Sequence, residues 1–201
     1  MSITSTMVKE LRDKTGAGIM DCKEALNVSV GDFERAIDYL RKKGMSAATK
    51  RSSKAAKDGV VASYIHMGGR IGVLVEVNCE TDFVAKTVDF QLVAKDLAMH
   101  VAAANPLYVK PEEIPPDIVS REKEIYKSQA LAEKKPEKIW DKIIEGKLKK
   151  YYEDVCLLNQ KFIKDTDITV ETLINNMIAK TGENIVIRRF ARFQLGEELK
   201  K

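Results

Sequence analysis

The sequence lacks features that mark several common classes of protein. Its 201 residues include only three cysteines, Cys22, Cys79 and Cys156, which are far apart and odd in number. They form neither an evident disulfide framework nor a metal-ligand spacing, which indicates a reducing compartment. The N-terminal residues resemble neither a signal peptide nor a transit peptide, and no uncharged apolar run is long enough to span a bilayer. We therefore expect a soluble cytoplasmic protein.

Motifs of common enzymes are also missing. The sequence contains neither a G-x-x-x-x-G-K-[S/T] phosphate loop nor a strand-linked G-x-G-x-x-G. Its two histidines, His66 and His100, lie apart from any cysteine or carboxylate cluster. An isolated histidine is more often a structural polar contact than a catalyst, although a nucleophile–base pair across the fold stays open. We expect a non-enzymatic protein that uses no cofactor and binds neither a metal ion nor a nucleotide directly.

Charged residues are abundant but nearly balanced in sign. Lysine and arginine number 34 and aspartate and glutamate 30, which leaves a net charge of +4. This excess is too diluted to mark a general nucleic-acid binder, and it fits a partner with a mixed surface better. Hydrophobic residues make up 44% of the chain, enough for a sizeable core in one or two domains.

The spacing of apolar residues in 5–44 predicts three short helices. Ser5 is the predicted cap of the first helix, and the run 14–18, which contains two glycines, is its predicted end. Gly44 is the predicted end of the third. The apolar residues at helical spacing in the second and third helices are Ile19, Cys22, Leu26, Phe33, Ala36, Ile37 and Leu40. Three short helices bury little area, so we predict either a docking module over residues 1–46 or a unit that leans on the rest of the chain.

A basic segment of small residues follows at 47–58 and is predicted to be a linker that can be helical. It can serve as a solvated hinge or contact RNA; we favour the hinge because it has no aromatic residue for base stacking. Residues 60–65 and 71–77 are rich in β-branched residues and predict two strands, joined by a hairpin turn at 67–70.

The junction 78–86 leads from the second strand into one predicted helix, whose apolar positions are Phe90, Ala94, Leu97 and Val101. Thr81 is placed to cap this helix, and Asp82 lies in a first turn that favours carboxylates. Asp82 and Glu80 can be imagined as an acid–base pair, but we favour capping. Phe83 is either a core anchor or a protruding wedge, and the local sequence does not decide between them.

The remaining residues complete an α+β pattern, with a predicted core over 59–201. Two amphipathic series predict a helical hairpin over about 117–156. The hairpin either makes partner or oligomer contacts or merely packs on its own domain. The apolar residues of the two series are Ile118, Ile125 and Ala132, then Trp140, Ile144, Leu148 and Tyr151. Residues 157–165 are predicted to be extended. Thr169 is the predicted cap of a last helix that ends at Gly182, and 185–193 are predicted to form a final strand of a small antiparallel sheet.

Several motifs together resemble the elongation factor Ts family, the guanine-nucleotide exchange factors of the GTPase elongation factor Tu. The motifs are Val8-Lys9-Glu10-Leu11-Arg12, Thr15-Gly16-Ala17-Gly18-Ile19-Met20-Asp21-Cys22-Lys23, Gly72-Val73-Leu74-Val75-Glu76, Thr81-Asp82-Phe83-Val84 and Gly182-Glu183-Asn184-Ile185. The resemblance implies a ubiquitin-associated-like N-terminal module that docks on the GTPase; its implied docking residues are Leu11, Arg12, Thr15, Gly16, Ala17, Gly18 and Met20. It also implies that Asp82 and Phe83 enter between two helices of the GTPase and disturb its Mg²⁺ and phosphate site.

The resemblance is to the short members of the family and therefore implies a homodimer. One departure is Gln160-Lys161-Phe162-Ile163, where many members have a proline in place of Lys161, which puts the rigid turn expected there in doubt. The alternative hypothesis is an RNA-binding or ribosome-associated module that uses Lys50–Lys57 and the arginine-rich last strand. A small-molecule enzyme ranks third, because the sequence indicates no pocket with perturbed titratable groups.

Overall fold

The computed structural model describes residues 3–198 and has an α+β fold, as predicted. Residues 1, 2 and 199–201, with which the predicted module begins and the predicted core ends, lie outside this range. In chain order the elements are α1 (Ser5–Thr15), α2 (Ile19–Val28), α3 (Phe33–Arg51), β1 (Asp58–Ile65), β2 (Ile71–Cys79), α4 (Asp82–Ala85), α5 (Val88–Ala104), α6 (Pro116–Ala132), α7 (Trp140–Val155), β3 (Lys161–Phe162), β4 (Asp165–Thr169), α8 (Val170–Thr181) and β5 (Val186–Gln194).

The chain divides into two compact units. Within the described residues, the first unit comprises 3–62, 75–96 and 171–188, and the second comprises 63–74, 97–170 and 189–198. Strands β1, β2 and β5 and helices α5 and α8 contribute residues to both. The predicted domain boundaries near residues 46 and 58 stay predictions. No helix in the described part of the chain is long and apolar enough to cross a membrane.

The three N-terminal helices form as predicted, except at the start of the first helix and the end of the third. Thr4 rather than Ser5 caps α1, because its hydroxyl oxygen accepts a hydrogen bond from the Met7 amide at 3.2 Å. Gly16 ends α1 with a φ of +68°, a conformation that glycine adopts without strain. The buried core of these helices consists of Leu11, Cys22, Ala25, Leu26 and Ala36. Ile19, placed on the buried face by its spacing, is instead 55% exposed.

The prediction that the third helix ends at Gly44 is wrong, since α3 continues through it to Arg51. Gly44 is buried, and a Cβ atom there would lie 3.7 Å from the carbonyl oxygen of Asn175 and 3.8 Å from the Cβ atom of Ala179 on α8. These are ordinary van der Waals distances, so Gly44 lies inside a contact between two helices of the first unit and does not mark a helix end. The α3 helix also takes up the first part of the predicted linker.

Strands β1, β2 and β5 form a three-stranded antiparallel sheet with β2 in the centre. The predicted hairpin turn joins β1 to β2, and the His66 amide donates to the Ile71 carbonyl oxygen at 2.9 Å. Alternate residues of β2 are buried, namely Val73, Val75, Val77 and Cys79, as are the predicted apolar positions of α5, namely Phe90, Ala94, Leu97 and Val101. Both elements therefore contribute to the core through the faces that their spacing predicts.

Helices α6 and α7 pack against each other as the predicted helical hairpin in the second unit. Ala130 and Leu148 are buried, while the ammonium group of Lys127 lies 5.8 Å from the centre of the Trp140 ring. This cation–π contact joins the two helices near their connection.

The prediction of one extended segment at 157–165 is wrong. Residues Leu157–Asn159 form a 3₁₀ turn, and Lys161–Phe162 pairs with β4, a strand that the sequence reading missed. The amides of Leu157 and Leu158 donate to the carbonyl oxygens of Tyr108 and Val109 at 2.9 and 3.0 Å. Hydrogen bonds from a distant part of the chain therefore fix this segment, and local propensity does not determine it.

Candidate functional site

The junction between β2 and α5 contains a separate short helix, so the prediction of one continuous helix is wrong. Helix α4 covers only Asp82–Ala85, and α5 begins at Val88. Thr87 separates them, because its hydroxyl donates to the Val84 carbonyl oxygen at 2.8 Å and accepts from the Phe90 amide at 3.3 Å. Thr87 lies at capping spacing before α5, and this sequence signal for a second helix start was not used in the prediction.

Thr81 caps α4, as its position predicted. Its backbone is extended, and its hydroxyl oxygen accepts from the Val84 amide at 3.5 Å. Asp82 follows in the first turn and forms an ion pair with Lys86 one turn later. The hydrogen bond from Lys86 lowers the pKa of the Asp82 carboxyl group, so this residue is a charged member of the surface. The structure brings all four predicted partner-binding residues together at the N-terminal end of α4.

Phe83 is 80% exposed, whereas Ala85 on the same short helix is 5% exposed. A four-residue helix can bury only one side, and α4 buries the side that carries Ala85. The choice left open by the sequence is therefore decided against a core anchor, because Phe83 is not packed inside its own chain. Phe83 is therefore free to contact another molecule, and its role as a wedge stays a prediction.

The backbone before α4 is held by the side chain of a distant residue, Glu183. Its carboxylate accepts hydrogen bonds from the amides of Glu80 and Thr81, both at 3.1 Å, and from the Thr81 hydroxyl at 2.6 Å. Cys79 adds a contact below the junction, since its thiol donates to the Thr81 carbonyl oxygen at 3.1 Å. Burial raises the pKa of the Cys79 thiol to about 11.

The residues with an implied docking role divide into exposed and buried groups. Arg12, Gly16 and Gly18 are exposed and Met20 is 73% exposed, whereas Leu11 is fully buried in the core of the three N-terminal helices. Thr15 and Ala17 are half-buried, and the Thr15 hydroxyl donates to the Leu11 carbonyl oxygen at 2.7 Å. The exposed members are available for docking, whereas Leu11 is enclosed in the helical core. The docking role stays a prediction.

The polar groups considered for other functions make contacts within the chain. His100 is fully buried, and its Nε2 lies 3.0 Å from the Gln160 Oε1 atom, so it is the structural contact that we favoured. Arg188 pairs with Glu76 at 3.7 Å, and Arg192 donates to the Ala102 carbonyl oxygen at 3.4 Å. These contacts give no support to the RNA-binding alternative. Residues 3–198 contain no cluster of three or more histidine, cysteine or acidic residues arranged to hold a metal ion.

Comparison with known proteins gives a consistent result over the whole chain. The sequence profile of the family described as elongation factor TS matches residues 21–197. Among curated relatives, elongation factor Ts of Syntrophus aciditrophicus (strain SB) is 81% identical over 201 residues, which covers 100% of both chains. Elongation factor Ts of Geotalea daltonii is 61% identical over 201 residues, with 100% of this chain and 93% of the relative covered. The protein of the same name from Syntrophomonas wolfei is 59% identical over 199 residues, with 99% and 93% covered.

Proposed function

Since the chain belongs to the elongation factor Ts family and is therefore a translation elongation factor, we propose that it promotes release of GDP from elongation factor Tu. In this proposal the protein acts in the cytoplasm without covalent chemistry and binds neither the nucleotide nor the Mg²⁺ ion itself. Residues 81–84, which we call the tip, insert into the GTPase. The exposed residues of the N-terminal helices dock on the same partner.

Exchange of this kind requires only a difference in binding. A factor that binds the nucleotide-free GTPase more tightly than the GDP-bound form must, by reciprocity, weaken the binding of GDP by the same factor. The Mg²⁺ site is a sensitive target, because a small displacement loses both the octahedral ligand geometry and the neutralisation of the phosphates. Asp82 supplies a negative charge and Phe83 supplies bulk at the point of insertion.

The observation that carries the proposal is the exposure of Phe83 on a helix that is capped and fixed at its N-terminus. An aromatic side chain that is 80% exposed contributes little to the stability of its own chain. Glu183 nevertheless holds the segment before it with two hydrogen bonds from backbone amides at 3.1 Å and one from the Thr81 hydroxyl at 2.6 Å. A rigid mount under an exposed aromatic residue is expected of a residue that must enter a partner, because it loses little freedom on binding.

The test uses elongation factor Tu loaded with a fluorescent GDP analogue. We expect the wild-type protein to accelerate release of the analogue and Phe83→Ala to reduce that acceleration strongly. The thermal transition of the variant should stay near that of the wild type, whereas emptying a buried aromatic site would cost about 3–5 kcal/mol. Met67→Ala is the matched control, because Met67 is 89% exposed in the hairpin turn; it should leave release unchanged. No acceleration by the wild-type protein would refute the proposed exchange activity.

We also propose that the protein forms a homodimer, as the resemblance to the short family members implies. Exposed apolar side chains in the second unit support this proposal. Ile65 is 66% exposed on β1, Leu74 is 48% exposed on β2 and Phe193 is 65% exposed on β5. Sedimentation should give about twice the chain mass of 22.6 kDa, and Leu74→Glu should shift the protein towards the monomer. A wild-type protein that sediments as a monomer at micromolar concentration would contradict the dimer.

A further inference from the structure

The Glu183 carboxylate forms three hydrogen bonds with Glu80 and Thr81, at the start of the tip. It follows Gly182, which ends α8 with a φ of +71°. Its hydrogen-bond partners, Glu80 and Thr81, lie more than 100 residues earlier in the sequence but in the same unit. The side chain therefore does not stabilise a local turn. It joins the loop after α8 to the start of the tip.

The hydrogen bonds of Glu183 also determine the state of the Thr81 cap. The Oε2 atom of Glu183 accepts from the two backbone amides, while Oε1 accepts the hydroxyl proton of Thr81. A hydroxyl group has one proton and two lone pairs. Because the Thr81 hydroxyl donates its hydrogen bond to the carboxylate, a lone pair of its oxygen is left to accept from the Val84 amide. Glu183 thereby orients the cap that begins α4.

The loop that carries Glu183 is held in return by Glu80. The Oε1 atom of Glu80 accepts from the Asn184 amide at 2.7 Å and lies 3.4 Å from the guanidinium group of Arg51. The Asn184 side chain donates to the Lys54 carbonyl oxygen at 2.7 Å. Each of the two glutamates thus binds the backbone of the loop that bears the other. Such a reciprocal arrangement fixes both loops, whereas a single bond would leave one of them free to move.

We propose that Glu183 is a positioning residue for the partner-binding tip. It acts through Thr81, by fixing the first turn of α4 so that Phe83 is presented to the GTPase in one orientation. This inference rests on the exchange function proposed above. A tip fixed in advance loses less conformational freedom on insertion than one that must be ordered by the partner. Glu183 contributes to exchange without touching the partner.

The central variant is Glu183→Gln, which keeps the size of the side chain. An amide has one oxygen and one NH₂ group, so it cannot accept on both sides and must lose either the backbone amides or the hydroxyl proton. We expect catalysed GDP release to fall about tenfold, which corresponds to a loss of about 1.4 kcal/mol. Glu171→Gln is the matched control, because it makes the same charge change at an exposed position of α8; its release rate should not change.

Two further measurements separate positioning from a general loss of structure. Amide hydrogen exchange in the free protein should accelerate at residues 80, 81 and 84 in Glu183→Gln and remain unchanged in the α1–α2 core. In the background of Phe83→Ala, Glu183→Gln should reduce release no further, since the residue acts through Phe83. Thr81→Val removes the hydroxyl that bonds to Glu183 and should accelerate hydrogen exchange at the same residues as Glu183→Gln does.

The outcomes distinguish this inference from the proposed function. If the wild-type protein does not accelerate release, the exchange function fails, while hydrogen exchange at residues 80, 81 and 84 still decides whether Glu183 positions the tip. If the wild type and Phe83→Ala behave as expected but Glu183→Gln accelerates GDP release from the GTPase as strongly as the wild type does, the positioning role is overturned alone. Additive losses in the double variant, or unchanged protection at the tip, overturn it as well.

Discussion

The buried His100 makes the stability of this protein depend on pH in a predictable direction. Its Nδ1 atom accepts from the Ile163 amide at 3.3 Å, so Nε2 carries the proton and donates to Gln160. The ring is also stacked on Phe162, with 6.1 Å between the ring centres. Burial lowers the pKa of His100, because the imidazolium form would lose its hydration and would present a proton to the Ile163 amide. The native state therefore requires the neutral ring.

The sign follows from proton linkage. In the unfolded chain the histidine has a pKa of about 6.5, and in the folded chain the pKa is lower. Between the two values the unfolded state binds more protons, so stability falls as the pH falls. The contribution of neutral His100 to the free energy of unfolding is fully present above about pH 6.5. It is lost as the pH falls towards the folded pKa, at up to about 1.4 kcal/mol per pH unit.

The assay is urea unfolding of the wild type and of His100→Gln between pH 7.5 and 5.5. Glutamine can replace Nε2 as the donor to Gln160 but leaves the Ile163 amide without its acceptor, which should cost about 1–3 kcal/mol at pH 7.5. The difference between the two proteins should shrink as the pH falls below about 6.5, because position 100 of the variant does not titrate there. His66→Gln, at an exposed position, is the control. An unchanged difference across this range would refute the role assigned to His100.

Two further predictions concern backbone geometry. Val30 has a φ of +53° in the turn before α3 and is 71% exposed, so Val30→Asn should relieve strain without loss of packing and raise the free energy of unfolding by about 1 kcal/mol in urea titrations; a lower value would count against the strain. Gly59 has a φ of +142°, and a Cβ atom there would lie 2.2 Å from the Val77 carbonyl oxygen. Gly59→Ala should therefore lower the free energy of unfolding by about 3 kcal/mol. Gly68→Ala, at a φ of +84° but with open space around it, should lower it by only about 1 kcal/mol. Equal losses of stability in thermal melts would show that the close contact at Gly59 is unimportant.

The sequence predicted elements well where periodic apolar residues and strong caps coincide. The α5 positions Phe90, Ala94, Leu97 and Val101 are all buried, and Thr81 is the cap that its spacing indicated. These features depend on residues within one or two turns of each other. Local rules are sufficient for them, because the physical cause is itself local.

The predictions failed where a distant part of the chain determines the conformation. Gly44 is a residue type that often ends a helix, but α8 packs beside it and α3 continues through it. The segment after Cys156 was predicted to be extended, yet its amides bond to Tyr108 and Val109. Within the site, the position of Thr81 was predictable, whereas its bond to Glu183 was not, because nothing near residue 81 indicates a partner 102 residues later. Long-range hydrogen bonds have no local signature.

The thiol of Cys79 provides a chemical reporter of the tip. Cys79 is fully buried beneath the Thr81 carbonyl group, and burial keeps its thiol protonated at neutral pH. A thiol reagent can therefore reach it only when the surrounding structure opens, so slow labelling under conditions of fast reclosing reports the population of the open form. In a variant with Cys22 and Cys156 replaced, the mass gained at a single site would report this motion in the free protein and in its complex. Cys79, two residues before the tip, is thus a built-in probe of the rigidity of the tip and requires no added fluorophore.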